Sequence, residues 1–350
     1  MARRKKETEE EEVDNEIKLE LAMKSLTKKY GEGIVDVARN FELTKIPSIP
    51  SSSIVLNQKL GRGGFVRGRM VEIFGDPAGG KSSLALDLVG NAQKIFPDEK
   101  VFWCDAEFSY DEEFASYYGV DTPSLILSRP TNGEEALEVM STIIKTGLIS
   151  IAVVDSVSAL VPQEEQDAPF EDKQMALQPR LMSKACRKLT RLCAYTGTLV
   201  VWVNQVRSGV GPYATKDSTG GNALKFHCSY RLNVSGGKSQ KTLIKVGDNV
   251  VGHTLTIQTV KNKLFPPHKS CELDLLHGVG FDLAKEAIDL GIHLELIQKG
   301  GSYYTFPGDE KAFANGMTNA RSFFKEHPEI YGKLISDIKQ SVEQSNEQII

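Results

Sequence analysis

The chain is poor in the features that mark secreted, membrane-bound and metal-stapled proteins. It has five cysteines, Cys104, Cys186, Cys193, Cys228 and Cys271, an odd number without any C-x-x-C pair. That argues against a disulfide framework and a zinc site, and implies a reducing, cytosol-like compartment. Long apolar runs are also missing, since nothing approaches the roughly 20 continuous apolar residues a membrane helix needs. The opening residues MARRKKETEEEE are basic with no apolar stretch behind them, so they read as neither a secretion signal nor an anchor. A cytoplasmic protein without a membrane partner is expected. Internal repeats are absent, and the net charge of −4 offers no strong bias of one sign.

That small total conceals a segregation of charge. Between Gln178 and Val246 there are twelve Lys or Arg (Arg180, Lys184, Arg187, Lys188, Arg191, Arg207, Lys216, Lys225, Arg231, Lys238, Lys241, Lys245) against one acid, Asp217. Such a stretch faces a polyanion. The acidic counterweight is ETEEEEVDNE near the start, read as a solvated, disordered arm. With 350 residues, 40% apolar and 25% charged, the chain has the composition of a globular protein able to bury a large core.

Strand and helix signals alternate along the middle of the chain. EIKLELAMKSLTKKYG is helical in period and ends at Gly31, and IPSIPSSS reads as a linker. MVEIF, VFWC, SLILS, ISIAVVD and TLVVWV are apolar strands separated by helices at SSLALDLVGNAQKIF, EEFASYYG, EEALEVMSTIIKTG and RLMSKACRKLTRLCAYTG. Strands this apolar between helices imply a mainly parallel sheet covered on both faces. Cys186 and Cys193, seven apart in the last of these helices, are expected as two small core residues on one face. From about residue 230 the pattern turns to β-rich hairpins (RLNVSG, TLTIQTVKNKL, KSCELDLL). A small mixed unit follows, with SYYTF as a strand and helices at TNARSFFKEHP and EIYGKLISDIKQS. The segment NQVRSGVGPYATKDSTGGNALKF, after TLVVWV, reads as a long unstructured loop, a kind of segment that is uncommon in a compact domain unless it has a function.

FGDPAGGKSS places Gly75, Gly80, Lys81 and Ser82 in the pattern G-x-x-x-x-G-K-[ST], directly between a strand and a helix. Glycines let backbone N–H groups turn inward around a phosphate, and the helix beginning at Lys81 adds its positive dipole end. Asp76, Pro77, Ala78, Gly79 and Ser83 complete this nucleotide-cradling stretch. Lys81 is expected to neutralise β/γ-phosphate oxygens and Ser82 to ligate Mg²⁺. Asp155, closing the strand ISIAVVD, is delivered to the carboxyl edge of the sheet, where ligands bind, and is expected as the second metal ligand. For a carboxylate that polarises the attacking water, VFWCDAE offers Asp105 and Glu107. Glu107 is preferred as base and Asp105 as a structural group.

Together with NQVR at 204–207 and TGGNALKF at 219–226, these residues resemble the RecA family of DNA strand-exchange proteins, in its bacterial and phage branch. MALQPRLMSKACRKL, VVDSVSALVP, GDNVVG and VKNKLFPP follow in the family's order, and the likeness runs nearly the whole chain. The resemblance implies an α/β fold: a RecA-like P-loop ATPase core with a mainly parallel central sheet, an N-terminal helix and a small α+β C-terminal domain. It implies an arm at 1–14, an oligomerisation helix and linker at 15–46, the core at 47–282 with DNA loops near 163–175 and 206–221, and the C-terminal domain at 283–350. Glu107 matches the family's catalytic glutamate, and Gln205 the glutamine that senses the γ-phosphate at the root of the second DNA loop. Lys261 and Lys263 match lysines that reach the ATP of the neighbouring subunit. Met175, Arg180, Arg187, Arg207, Gly220, Gly221 and Asn222 match DNA-contact positions, and Asp111, Phe114 and His277 join the nucleotide site.

The implied activity is ATP-dependent homologous recombination. A filament forms on single-stranded DNA, pairs it with a homologous duplex and hydrolyses ATP when DNA is bound, in the service of repair and the DNA-damage (SOS) response. Gly-rich backbone and Asn amides grip phosphates without reading bases, which suits that task. The alternatives are an accessory paralogue using ATP only as a structural switch, and a ring-forming helicase. The intact set Lys81, Glu107, Asp155 and Gln205 speaks against the first, and the N-terminal helix with TGGNALKF against the second. Three departures from the family's pattern stand out. The loop after Gln205 is two residues shorter, Phe114 and His277 replace the tyrosines usual near the adenine, and the acidic tail typical of bacterial C-termini is missing.

Overall fold

The computed structural model describes every residue except 1, 32–33, 37–45, 170, 172–175, 209–215, 238, 241 and 348–350. It divides into two compact units, Met1–Pro47 and Ser48–Ile350. The first is dominated by one helix, Ala2–Tyr30, which ends where Gly31, at φ 99°, turns its N–H back to the Thr27 carbonyl at 2.8 Å. The helix begins earlier than expected, because 1–14, read as a disordered arm, is helical from Ala2. The cause lies in its composition. Lys and Arg at 3–6 precede Glu at 7 and 9–12, all strong helix formers, with opposite charges spaced three and four apart and no Gly or Pro to interrupt them. Leu19, Leu21 and Tyr30 are exposed, so this helix has no core of its own.

The second unit is built on an 11-stranded sheet. Its main strands are β1 (Met70–Gly75), β2 (Lys100–Asp105), β3 (Leu125–Ser128), β4 (Ile149–Asp155), β5 (Leu199–Ser208), β6 (Tyr230–Gly236), β7 (Asn249–Asn262) and β8 (Ser270–Leu276). They lie in the order β8-β7-β6-β1-β5-β4-β2-β3. From β6 to β3 every pairing is parallel, whereas β7 and β8 join antiparallel. The parallel part follows from the apolar runs: β4 is buried at every position, so both its faces need cover. Along β4, Ile151 and Val153 face the layer packed by Leu84, Leu88 and Val89 of the helix Lys81–Ile95. Ala152 and Val154 face the opposite layer, with Met140 and Ile144 of the helix Gly133–Ile144 and Met182 and Leu189 of the helix Leu177–Thr196. Each such buried Val, Leu, Ile or Met side chain is worth roughly 1.5–3 kcal/mol of transfer free energy.

Cys186 and Cys193 are both buried in that second layer, on one face of their helix as expected. All five cysteines are buried; burial pushes the thiols of Cys104, Cys186, Cys193 and Cys271 up to about 12, and that of Cys228 well above its ordinary value.

The C-terminal segment forms a small α+β domain with its own core. The helices Leu283–His293, Met317–Glu326 and Pro328–Glu347 surround a three-stranded sheet of Gln298–Gly300, Tyr303–Thr305 and Ala314–Asn315. Ile288, Phe324, Leu334 and Ile338 fill it, with Phe306 and Phe313 stacked at 4.5 Å between centroids. A buried carboxylate, Asp87, and a half-buried one, Glu286, hold the segment that enters the larger core. Asp87 accepts from the Ser52 N–H at 2.9 Å and from the Ser52 hydroxyl, while Glu286 accepts from Ser53 Oγ at 2.5 Å and the Val55 N–H at 3.0 Å. Burial raises both pKa values, that of Asp87 to about 6.

Candidate functional site

The parallel strands deliver the site residues to one edge of the sheet. Gly75, the last residue of β1, is in register with Gln205 on β5, and Asp105 on β2 with Asp155 on β4. The chain then turns through 76–80 into the helix Lys81–Ile95. A Cβ on Gly75 would lie 1.9 Å from the Val234 carbonyl oxygen, so only glycine lets this loop leave between β1 and β6. Gly80, the helix N-cap, sits at φ 83° with space for a Cβ closed by Leu255 Cδ1 at 2.7 Å. The result is a helix N-terminus whose first N–H groups and dipole point into the loop, a ready anion site.

Lys81 is buried, and its Nζ donates to the Asp76 carbonyl at 2.8 Å, holding the ammonium inside the loop. Ser82 hydrogen-bonds Asp155, whose carboxyl is pushed up to about 6 chiefly by burial, with Glu107 and Asp105 adding to the rise and Ser82 and Lys81 opposing it. A buried carboxylate joined to a hydroxyl beside a phosphate cradle is a hard-oxygen pair. That donor set suits Mg²⁺, which takes one or two protein oxygens and completes its sphere with phosphate oxygens and water.

The two candidate bases separate clearly. Asp105 is fully buried and its oxygens are engaged by the Ser109 N–H at 2.9 Å, the Tyr110 N–H at 3.2 Å and Arg129 Nε at 3.1 Å, so it pins the loop that follows β2. Glu107 lies on that pinned loop, with its N–H on the Asp155 carbonyl at 3.3 Å. Its Oε1 accepts from the Ser156 hydroxyl and from Gln205 Nε2 at 3.0 Å. Three strands thus bring Glu107, Asp155 and Gln205 to one place.

A cavity of about 390 Å³ adjoins the loop, lined by residues 78–83 together with Asp111, Phe114, Asp155 and His277, and also by Trp103, Tyr110 and His253. Asp111 caps the helix Glu112–Ser116, accepting from the Phe114 N–H at 2.6 Å. His253 was not among the expected residues. Its ring lies 6.0 Å from that of His277, its buried Nε2 has no hydrogen-bond partner among the described residues, and burial, followed by His277, lowers its pKa. A larger cavity, about 490 Å³, lies between the helices Gly133–Ile144 and Leu177–Thr196 and contains none of the expected site residues.

The remaining expected residues fall elsewhere. Lys261 Nζ donates to the Lys225 and Phe226 carbonyls and Lys263 Nζ to the Phe226 carbonyl at 3.3 Å; neither lines the 390 Å³ cavity of its own chain. Arg180, Arg187, Arg207 and Asn222 are exposed, Gly220 and Gly221 pack beside Val157 and Pro179, and Met175 lies outside the described residues. Within 163–175, Gln163–Asp167 forms a short helix. The segment 204–226 is also more ordered than expected. Val206–Ser208 pair antiparallel with Lys216–Ser218, and Asn222–His227 is helical, because backbone groups at the end of β5 find partners in the returning chain rather than in water. Residues 209–215 of that segment are outside the described residues.

Sequence reading missed Ser156, Asn204, Thr219 and Glu72, which support these groups. One signal was available: Glu72 is a lone carboxylate within the apolar run MVEIF, and a buried charge demands a partner.

Family models place the chain. The RecA N-terminal domain matches residues 17–282 and the RecA C-terminal domain residues 285–343. Protein RecA of Saccharopolyspora erythraea is 40% identical over 326 residues, covering 93% of this chain and 92% of that protein. Protein RecA of Mycobacterium avium is 40% identical over 331 residues (94% and 92%), and that of Corynebacterium urealyticum 38% over 344 residues (98% and 91%). Matched by RecA family models over residues 17–282 and 285–343 and by relatives 38–40% identical along most of its length, this chain belongs to the RecA family.

Proposed function

We propose that this protein is an ATP-dependent homologous recombinase that forms a filament on single-stranded DNA, pairs it with a homologous duplex and hydrolyses ATP when DNA is bound. In this reading the backbone N–H groups of the loop 76–80, other than Pro77, and Lys81 hold the β/γ-phosphates, and Ser82 with Asp155 holds Mg²⁺. The metal supplies charge neutralisation to the phosphates when bound. Phe114 and His277 flank the base, with Asp111 beside them. Glu107 takes the proton of the attacking water, and Gln205 reports the γ-phosphate to the segment that follows it. Lys261 and Lys263 stabilise charge at the nucleotide of a neighbouring copy, as an arginine finger does, which accounts for their distance from the cavity of their own chain. Exposed Arg180, Arg187, Arg207 and Asn222, with Met175, Gly220 and Gly221, contact the DNA backbone.

One observation carries the reading. The 3.0 Å bond from Gln205 to Glu107 joins the base of hydrolysis to the root of the basic segment, so nucleotide state and DNA grip share a side chain. The test is ATP turnover of purified protein with and without single-stranded DNA, alongside a strand-exchange assay. Turnover is expected to rise with DNA, and exchange to require ATP. Equal turnover with and without DNA refutes the coupling, and DNA binding without strand exchange points to an accessory paralogue instead.

A further inference from the structure

A buried polar network lies directly beneath the Gln205–Glu107 contact. Glu72, in the middle of β1, is fully buried, and its Oε2 accepts from Arg231 Nε on β6 at 2.5 Å. The Arg231 guanidinium lies 4.6 Å from the Phe74 ring centroid and donates from Nη2 to Ser218 Oγ at 3.3 Å. Glu72 Oε1 accepts from Asn204 Nδ2 at 2.9 Å. The same Nδ2 donates to the Thr219 carbonyl at 2.9 Å. On its other side, Asn204 Oδ1 accepts from the Gln205 N–H at 2.9 Å and from Thr219 Oγ1 at 2.5 Å. Finally, the Thr219 N–H donates to the Gln205 carbonyl at 3.2 Å.

Asn204 therefore uses both amide hydrogens and both lone pairs of its oxygen, the full capacity of the group. Only one orientation of the amide works. Flipped, it would set its oxygen against the Glu72 carboxylate and its NH₂ against the Gln205 N–H. A carboxylate buried in the sheet thus fixes an amide, and that amide fixes the backbone at both the departing and the returning ends of the basic segment.

We propose that Asn204, oriented by the buried Glu72–Arg231 pair and closed by Thr219, is the positioning residue through which movement of Gln205 at the nucleotide is converted into movement of both ends of the 205–219 segment. This rests on the proposed recombinase reading and adds to it the residues that carry the coupling. Gln205 cannot shift without changing its bonds to Asn204 Oδ1 and the Thr219 N–H, and Thr219 cannot follow without carrying Ser218 and its Arg231 contact. In a low-dielectric setting such a network responds as a unit.

The experiment measures the ratio of ATP turnover with single-stranded DNA to turnover without it, for wild type, Asn204→Ala, Thr219→Val, Thr219→Ser and the Asn204→Ala/Thr219→Val double variant. Thr219→Val keeps the shape and the backbone but deletes the hydroxyl bond to Asn204. We expect it to cut the ratio at least tenfold, through kcat with DNA rather than through KM for ATP. Thr219→Ser should restore the ratio to within about twofold, and the double variant should lose no more than the worse single one. Should Asn204→Ala fail to fold, Ser218→Ala, which removes the Arg231 contact, replaces it, with a threefold loss expected. The inference is overturned if folded Thr219→Val keeps the wild-type ratio, if the two single losses multiply in the double variant, or if Thr219→Ser does not recover. A wild-type ratio of one refutes the coupling of nucleotide to DNA on which this inference rests, which separates the two failures.

Discussion

Replacing Glu107 by Gln isolates charge from geometry at the reacting end of the site. Both side-chain bonds to Glu107 land on the same atom, Oε1, from Ser156 Oγ and from Gln205 Nε2. An amide oxygen in that position can accept both, so Glu107→Gln retains the arrangement and removes only the negative charge and the capacity to take a proton. Loss of a positioned general base costs typically 10²–10⁴ in rate, or about 3–5 kcal/mol of barrier. The bond to Gln205 falls from charge-assisted to neutral, a loss of about 1 kcal/mol, or about fivefold in any equilibrium it governs. Glu107→Ala removes both bonds as well as the base. The assay is single-turnover ATP hydrolysis with and without single-stranded DNA, beside equilibrium binding of a fluorescent ATP analogue. Both variants should bind nucleotide within a few-fold of wild type, and both should lose turnover by 10² or more. Only the Ala variant should also lose most of the dependence of DNA affinity on nucleotide. Turnover of Glu107→Gln within tenfold of wild type refutes Glu107 as the base.

Lys81→Ala removes the buried ammonium from the loop and should abolish nucleotide binding and nucleotide-dependent filament formation, as seen by titration and electron microscopy. Gly75→Ala forces a Cβ to 1.9 Å from the Val234 carbonyl, so β1 and β6 must separate; a stability loss above about 2 kcal/mol in urea and loss of nucleotide binding are expected. Asp87 has its pKa raised by burial from an ordinary 3.8 to about 6, so its contribution to stability is full below pH 3.8 and is lost as pH rises through 6. Denaturation of wild type at pH 5 and pH 8 should therefore show a loss of about 1 kcal/mol from this group on going to the higher pH, and Asp87→Asn should flatten that slope. Parallel curves for the two proteins refute it.

The nucleotide side of the site was legible because its chemistry demands contiguous residues: a strand, glycines, Lys81 and Ser82 in fixed order, and apolar strands that end in Asp155 and Asp105. Two-faced burial of β4 likewise follows from an unbroken apolar run. What stayed hidden depends on pairing between distant segments. Asn204 and Thr219 meet across 15 residues, and Glu72 and Arg231 across 159. His253 faces His277 only because β7 and β8 pair in a register that sets His253 opposite Leu275. The helical start of the chain was misread because dense charge suggests solvation, although the same residues also propagate a helix.

The depth of the five thiols has a practical use. With none of them at the surface and their acidities suppressed, thiol-directed dyes at neutral pH should leave the native chain unmarked. Tyr195, 84% exposed near the end of the helix Leu177–Thr196, then offers a place where one introduced cysteine would carry a single fluorophore on every copy. Assembly along a polynucleotide could be followed by energy transfer between neighbours without first deleting any native sulfur.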